Sequence, residues 1–430
     1  MSIAEPPAKL NPRPANTSGR RLRSNTLALL SGNVGSAVLS FGLSVLIGRA
    51  TGAEGLGVYS AVLAWVFPLL LVSEFGINTL LTREIAQHPE FARAYAKQAC
   101  LIFAALSFPL MLVVWLFAPL MAQSAAAAAG LRLSAPLLLV APCFGALTAT
   151  LRARQVMWPI PLLNVGMLFS QVVLTLLVFL AGGDVLAALA VNVSTSAGQL
   201  VAAWVFWLRL IPASDVQSIE TDIRSLLKRA WPFALAGVLA ALQSRFGLML
   251  LERLGTAQDA GYYAAASRFT EAAKTIPYAF FGAVFPALAA FAAQPIKVRR
   301  LMEQMLFGLL LYSLVAALVL SLLALPLIMI TYSWAFIASA GALQLLAWSL
   351  VPALLRAGIT LYWYAHQREG LANRVNGAVL LLQVPLCLWL IPRQGAAGLA
   401  IASLTIETIA LVLLGWPLLH HLWKPYGQAA

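Results

Sequence analysis

Long apolar stretches alternate along the chain with short segments that carry Lys, Arg, Pro or Gly. A helix that crosses a membrane needs about 20 mostly apolar residues, and the chain offers about twelve stretches of that length. The run lengths predict helices at residues 26–48, 57–81, 98–122, 133–152, 160–182, 184–208, 231–252, 260–285, 302–325, 336–358, 371–391 and 396–418. The pattern therefore predicts an all-α integral membrane protein with about 12 transmembrane helices.

Composition agrees with lipid rather than water as the main solvent. Hydrophobic residues make up 61% of the 430 residues and charged residues 10%, whereas soluble domains carry roughly 25% charged residues. The net charge of +13 raises the question of nucleic acid, but a nucleic-acid surface needs its cations clustered on one soluble face. Because the cations here alternate with apolar spans, we expect no nucleic-acid partner.

The distribution of cations between the two sets of loops predicts the orientation. Loops on the side of the N-terminal tail hold most of the Lys and Arg residues, while the opposite loops hold only Arg49, Arg132, Arg253 and Arg393. Loops rich in Lys and Arg remain in the cytoplasm. We therefore expect both termini to be cytoplasmic.

A short turn motif recurs in the second half of the chain. The sequence RATGAEGLGVY at 49–59 is matched 204 residues later by RLGTAQDAGYY at 253–263, with the first Arg, the Gly of Gly57 and Gly261, and the last Tyr in register. At this offset each half holds six helices in the same orientation, which is a parallel repeat related by an axis along the membrane normal. Such halves usually enclose a central cavity.

The repeat and the longest tail-side loop divide the chain. The predicted units are a disordered cytoplasmic tail at 1–25, an N-terminal six-helix half at 26–210, a cytoplasmic linker at 211–229, a C-terminal six-helix half at 230–420 and a short cytoplasmic tail at 421–430. No predicted loop on the opposite side exceeds roughly 10 residues, a length typical of simple connections. Without room for an extramembrane catalytic domain, we expect no enzymatic activity.

Ionisable residues inside the predicted spans are candidates for function, because a charge at the bilayer centre costs at least about 2.5 kcal/mol on insertion scales. The candidates selected on this ground are Glu74, Arg245, Arg268, Glu271, Lys274, Arg356 and Glu407. The spacing of Arg268, Glu271 and Lys274 places them on one polar arc of the predicted eighth helix, together with Tyr278.

Two roles are assigned to these residues. Arginine binds phosphate well because its planar guanidinium group donates two parallel hydrogen bonds. A cavity lined by such cations therefore predicts an anionic substrate. The candidates for substrate binding are Arg245, Arg268, Lys274, Arg356 and Tyr278, and the candidates for ion coupling are Glu407, Glu271 and Glu74. Three alternatives remain open: the stripe is a structural ion network, Arg356 extends to the membrane interface, and Glu74 pairs with Arg83.

Two segments carry a resemblance to a known family. They are SNTLALLSGNVGSAVLSFGLSVLIGRATGAEGLGVYSAVLAW at 24–65 and SEFGINTLLTREIA at 73–86. Both are similar to the Wzx-like polysaccharide and oligosaccharide flippases, whose superfamily includes the multidrug and toxin extrusion (MATE) transporters and the lipid II flippases. The resemblance covers nearly the whole chain, and its motifs are diffuse rather than catalytic.

The resemblance implies a fold and a function. It implies two six-helix bundles around a V-shaped cavity, and alternating access of a polyprenyl-pyrophosphate-linked oligosaccharide across the bacterial inner membrane. It also implies coupling to a proton or sodium gradient without any bound cofactor. The expected partners are the lipid-linked substrate, membrane lipid and, as a possible addition, a glycan polymerase or glycosyltransferase machinery.

Three rival functions are weighed against this one. A multidrug exporter of the same fold would prefer cationic drugs and an acidic cavity, whereas the predicted intramembrane cations outnumber the acids. A major-facilitator sugar transporter usually has a Gly-x-x-x-Asp-Arg/Lys-x-Gly-Arg loop, but the chain reads TREIAQHPEFARAYAKQ there. A glycan polymerase or ligase would carry a large outside loop, which is not predicted.

Overall fold

A computed structural model describes residues 16–212, 223–291 and 294–422, and the described part is helical. The helices are α1 (Asn16–Glu74), α2 (Ile77–Gln87), α3 (Ala92–Met121), α4 (Ala125–Ser134), α5 (Leu137–Ala153), α6 (Pro159–Leu180), α7 (Val185–Leu210), α8 (Ile223–Leu254), α9 (Ala257–Ala290), α10 (Pro295–Leu322), α11 (Ala324–Thr331), α12 (Ser339–Ala365) and α13 (Glu369–Leu422). Short 3₁₀ turns at Pro89–Phe91 and Trp334–Phe336 complete the secondary structure.

The observed helices extend into two of the predicted non-helical units, the N-terminal tail and the linker. Helix α1 begins at Asn16, inside the stretch predicted as a tail, and α8 begins at Ile223, inside the predicted linker. Residues 1–15, 213–222 and 423–430, which make up the rest of these predicted segments, lie outside the described residues.

The described chain makes twelve membrane crossings. Nine of its helical segments are long and apolar enough to span a membrane, and two of these, at Ser31–Glu74 and Glu369–Leu419, have 44 and 51 residues. A helix of that length would reach more than about 60 Å, twice the roughly 30 Å of hydrocarbon. Each is interrupted by one glycine with positive φ, Gly52 at 72° and Gly395 at 52°, and therefore provides two crossings.

Helix α9 supplies the remaining crossing. It has 34 residues but carries Arg268, Glu271 and Lys274, which set it apart from the nine apolar segments. The predicted fold class, an all-α membrane protein of about twelve helices, is thereby confirmed. Below, α1–α7 are called the N-terminal half and α8–α13 the C-terminal half, and the side of the Gly52 and Gly395 turns is called the turn side. The opposite side is called the linker side.

The recurring turn motif is where the two halves touch most closely. A Cβ atom at Gly57 would lie 1.7 Å from the carbonyl oxygen of Ala257, and one at Gly261 would lie 1.8 Å from the carbonyl oxygen of Ala53. Ala53 and Ala257 are themselves 204 residues apart, so the two contacts are related by the repeat. Only glycine permits this close approach between α9 and the part of α1 that follows Gly52.

Polar contacts reinforce this closure on the turn side. The guanidinium of Arg49 donates to the carbonyl oxygen of Thr331 at 2.6 Å and also to that of Ile330, at the C-terminal end of α11. The hydroxyls of Ser44 and Tyr332 lie 3.0 Å apart. Both contacts join the two halves, and a buried apolar cluster that contains side chains from both halves surrounds them.

Toward the linker side, the rest of the protein covers α9 less. This helix is buried around Ala265 and Phe269, at 0% and 8% exposure, but Ile276 and Tyr278 are exposed at 67% and 54%. Elsewhere on the linker side the two halves stay in contact, because the ring of Phe75, which follows α1, packs against the ring of Trp231 in α8. The two halves therefore enclose a V-shaped cavity that is shut at the turn side.

The close glycine contacts predict how the turn side can be forced open. Gly57→Val and Gly261→Val should separate the two halves there, because each new side chain would overlap a carbonyl group of the other half. In a background without native cysteines, Ser44→Cys should then react faster with a membrane-impermeant maleimide added from the turn side. Gly42→Val is the matched control, since nothing lies within 4 Å of its Cβ position. Equal labelling in all variants would contradict this closure.

Candidate functional site

A cavity of about 330 Å³ lies between the two halves. Its polar lining differs between the halves. The N-terminal half contributes the uncharged side chains of Ser40, Ser60, Asn192 and Ser196. The C-terminal half contributes Arg245, Ser267, Arg268 and Glu271. All charged groups of the lining thus come from α8 and α9.

The cavity lies near the middle of the membrane. Arg268 follows the first residue of α9, Ala257, by eleven positions, which corresponds to a depth of about 17 Å at 1.5 Å per residue. Half of the roughly 30 Å hydrocarbon thickness is about 15 Å. These charges therefore need the cavity, because lipid would not solvate them.

Glu271 bridges the two arginines of the cavity. Its carboxylate lies 3.2 Å from a guanidinium nitrogen of Arg268 and 3.9 Å from one of Arg245. Arg268 also lies 3.4 Å from the hydroxyl of Ser40 in the N-terminal half, and the guanidinium of Arg245 lies 5.4 Å from the ring centre of Phe67. The two arginines and one glutamate leave a net charge of +1.

The predicted stripe on α9 divides into two parts. Arg268 and Glu271 line the cavity, whereas Lys274 and Tyr278 lie further toward the linker side and are not part of its lining. Lys274 is half-buried and forms no ion pair with a carboxylate among the residues that the structure describes. Tyr278 is exposed, and its ring packs at 5.9 Å against that of Phe281.

Arg356 and Glu407 form a separate ion pair. Nε of Arg356 donates to Oε2 of Glu407 at 2.6 Å and Nη2 donates to Oε1 at 3.1 Å, so the pair is bidentate. Nη1 also lies 3.5 Å from the amide oxygen of Asn376. The sequence assigned these two residues to different roles, but the structure joins them across α12 and α13, away from the cavity lining. Arg356 therefore does not extend to the interface.

Glu74 lies outside the cavity lining as well. It is half-buried at the end of α1, and the groups that act on its carboxylate are Asn78 of α2 and Arg152 of α5. Pairing with Arg83, the alternative raised by the sequence, is not observed, and Glu74 forms no ion pair among the residues that the structure describes.

Glu252, at the turn-side end of α8, is a further functional candidate that the sequence did not predict. Its Oε1 accepts from the backbone N–H groups of Gln123 and Ser124 at 2.9 and 3.3 Å, just before α4, and the residue is 1% exposed. A carboxylate at a helix N-terminus is stabilised by the unpaired N–H groups and the helix dipole. Because Glu252 is the last residue of its predicted span, it was not counted as intramembrane. It adds a further contact between the halves.

Tyr59, the last residue of the first turn motif, supports the uncharged wall of the cavity. Its hydroxyl accepts from Nε2 of Gln171 at 3.0 Å, and both side chains are buried. A buried neutral hydrogen bond thus backs the N-terminal wall.

The bidentate pair in the C-terminal half predicts a large stability effect. Arg356→Ala should destabilise the protein by about 3 kcal/mol, because it leaves the partly buried Glu407 carboxylate without its partner. The double variant Arg356→Met/Glu407→Leu should recover most of this loss, and thermal unfolding in detergent measures both. As a control, Arg299→Ala removes an exposed pair with Glu303, which contributes less than about 1 kcal/mol. Equal melting temperatures for Arg356→Ala and Arg299→Ala would contradict the assignment.

Several solved transporter structures share this fold. The lipid II flippase MurJ, in an inward closed conformation, superposes with a TM-score of 0.76 at 15% sequence identity, over 91% of this chain and 87% of that chain. An inward-facing multidrug resistance transporter of the MATE family gives a TM-score of 0.77 at 15% identity, over 93% and 100%. A transporter of the same MOP superfamily from Pyrococcus furiosus, with a reverse polarity of its binding pocket, gives 0.65 at 12% identity, over 94% and 96%.

Sequence comparison identifies the family. No curated protein matches the chain in sequence. The model of a family described as polysaccharide biosynthesis protein matches residues 22–292, which is more than half of the chain. This range includes both segments that carried the resemblance and both arginines of the cavity. The chain therefore belongs to the polysaccharide biosynthesis protein family, and it has the transporter fold shared by MurJ and the MATE proteins.

Proposed function

We propose that this protein flips a polyprenyl-diphosphate-linked oligosaccharide across the bacterial inner membrane by alternating access. The observation that carries this proposal is the pair of guanidinium groups, Arg245 and Arg268, which face one cavity at mid-membrane depth. They come from different helices and meet at one carboxylate. A diphosphate has several oxygens that can accept hydrogen bonds from two guanidinium groups at once.

The opposite wall of the cavity suits the glycan. Ser40, Ser60, Asn192 and Ser196 carry hydroxyl or amide groups and no charge. Such groups both donate and accept hydrogen bonds, as sugar hydroxyls do. The proposed orientation therefore places the diphosphate beside α8 and α9 and the first sugars beside α1 and α7. The prenyl chain would leave toward lipid on the linker side.

Lys274 and Tyr278 have a separate place in this proposal. Lys274 lies two helical turns closer to the linker side than Ser267 and is half-buried. A cation there would attract the acidic head group before it reaches the two arginines. Tyr278 is exposed on the same part of α9 and would contact the entering lipid.

Coupling to a proton or sodium gradient is part of the proposal, with no bound cofactor. Glu407 is held by Arg356 and Glu271 by two arginines, so neither is a free carboxylate in this conformation. Glu74 has one distant cation and an amide neighbour, which makes it the most available of the three for a coupling ion. We further propose that both termini are cytoplasmic and that a glycan polymerase or glycosyltransferase supplies or receives the substrate.

Export of cationic drugs is the second candidate, because MATE transporters share the fold. The charge of the cavity disfavours it. The one carboxylate of the described lining, Glu271, already contacts two arginines, which leaves a positive rather than a negative site. A cation would be repelled from this position.

The proposal predicts a flipping activity that depends on both arginines. In proteoliposomes, a fluorescent polyprenyl-diphosphate oligosaccharide should become accessible to an outer-leaflet quencher faster than in empty vesicles. Arg245→Ala and Arg268→Ala should each slow this by about tenfold or more, since a charge-assisted hydrogen bond contributes roughly 1.5–3 kcal/mol. Ion dependence is measured by imposing a proton or a sodium gradient.

Arg393→Ala is the matched control, because this arginine is exposed on the turn side and donates to the backbone of Trp389 on its own helix. It should flip as well as the wild type. Flipping that survives loss of both cavity arginines would contradict the proposed site. Export of a soluble cation on the same gradient, without lipid transfer, would favour the drug-exporter function.

A further inference from the structure

Two groups of ion pairs lie within the predicted spans, one around Glu407 and one around Glu271, and they are built differently. Arg356 and Glu407 make two hydrogen bonds of 2.6 and 3.1 Å, and the side chains are 19% and 23% exposed. Glu271, in contrast, lies 3.2 Å from Arg268 and 3.9 Å from Arg245 and is 44% exposed in the cavity. Charge-assisted hydrogen bonds are usually about 2.7–2.9 Å long. The carboxylate of Glu271 is therefore held less tightly than that of Glu407.

The position of Glu271 is also the position that an anionic ligand needs. A carboxylate and a phosphate use the same guanidinium forks, so both cannot occupy them fully at once. Arg245 and Arg268 come from α8 and α9, and the carboxylate of Glu271 is the group that links them. An anion that reaches both arginines must displace this carboxylate.

We propose that Glu271 is an internal counter-ion, which fills the anion site of the empty transporter and is displaced by the substrate's diphosphate. This inference rests on the proposed function and names how its site is regulated. Glu271 lowers the charge of the empty cavity from +2 to +1. Since enclosing unpaired charge at mid-membrane is costly, the counter-ion eases the return of the empty transporter. It also weakens the hold on the substrate and so favours release.

The proposed competition predicts whether the affinity for a diphosphate rises or falls when Glu271 is replaced. Glu271→Gln keeps the size of the side chain but removes its negative charge, so a diphosphate should bind more tightly, by roughly tenfold. Turnover of flipping should fall in the same variant, because release becomes slower. A coupling carboxylate would instead lose its ion dependence, and a purely structural residue would lose stability without any gain in affinity.

The experiment measures equilibrium binding of farnesyl diphosphate to the full-length protein in detergent, with farnesol as the uncharged comparison ligand. The variants are Glu271→Gln, Arg268→Ala and the control Glu303→Gln, whose carboxylate pairs with Arg299 on α10 outside the cavity. Glu271→Asp is a second test that keeps the charge on a shorter side chain. It should bind farnesyl diphosphate more tightly than the wild type but less tightly than Glu271→Gln.

The expected result is tighter binding of farnesyl diphosphate by Glu271→Gln, weaker binding by Arg268→Ala, no change for Glu303→Gln and no effect on farnesol. Unchanged or weaker binding by both Glu271 variants, with Arg268→Ala still impaired, would overturn the counter-ion role and leave the proposed function standing. No binding of farnesyl diphosphate by any variant would overturn both.

Discussion

The cost of a charge in hydrocarbon is the constraint on which this structure depends. Seven ionisable residues inside the predicted spans were selected as candidates for function, and each would cost at least about 2.5 kcal/mol if it faced lipid near the bilayer centre. The protein meets this constraint in two ways. Arg245, Arg268 and Glu271 face a shared cavity, while Arg356 and Glu407 neutralise each other inside the C-terminal half. The cavity is thus required by the charges as much as the charges are required by a substrate.

The internal repeat determines how that cavity can open and close. Gly57 and Gly261 occupy equivalent positions, and each makes room for a carbonyl group of the other half. The contact is close but small, and Arg49, Ser44 and Glu252 add hydrogen bonds that have no symmetric partner. Backbone contact is therefore symmetric and side-chain hydrogen bonding is not, and separation of the turn side must break these hydrogen bonds together with the apolar cluster that both halves share.

The sequence predicted the features that depend on local pattern. Apolar run length identified twelve crossings, and the spacing of Arg268 and Glu271 placed them on one face of α9. It did not predict that Arg356 pairs with Glu407, because these residues are 51 positions apart in sequence and their contact depends on the packing of α12 against α13. Glu252 was not predicted for a related reason. A carboxylate at the end of a span resembles an ordinary interfacial residue until its N–H partners just before α4 are known. Periodicity predicts which face of a helix is polar, but it does not predict which other helix that face contacts.

The proposed diphosphate site is best tested by locating a bound head group. A structure of the protein in lipid nanodiscs with a polyprenyl-diphosphate oligosaccharide would show that position. We expect phosphate oxygens within hydrogen-bonding distance of both Arg245 and Arg268, the carboxylate of Glu271 turned away, and the first sugar beside Ser40 and Asn192. A diphosphate bound elsewhere, at Arg356 or outside the space between the two halves, would show that the proposed site is wrong.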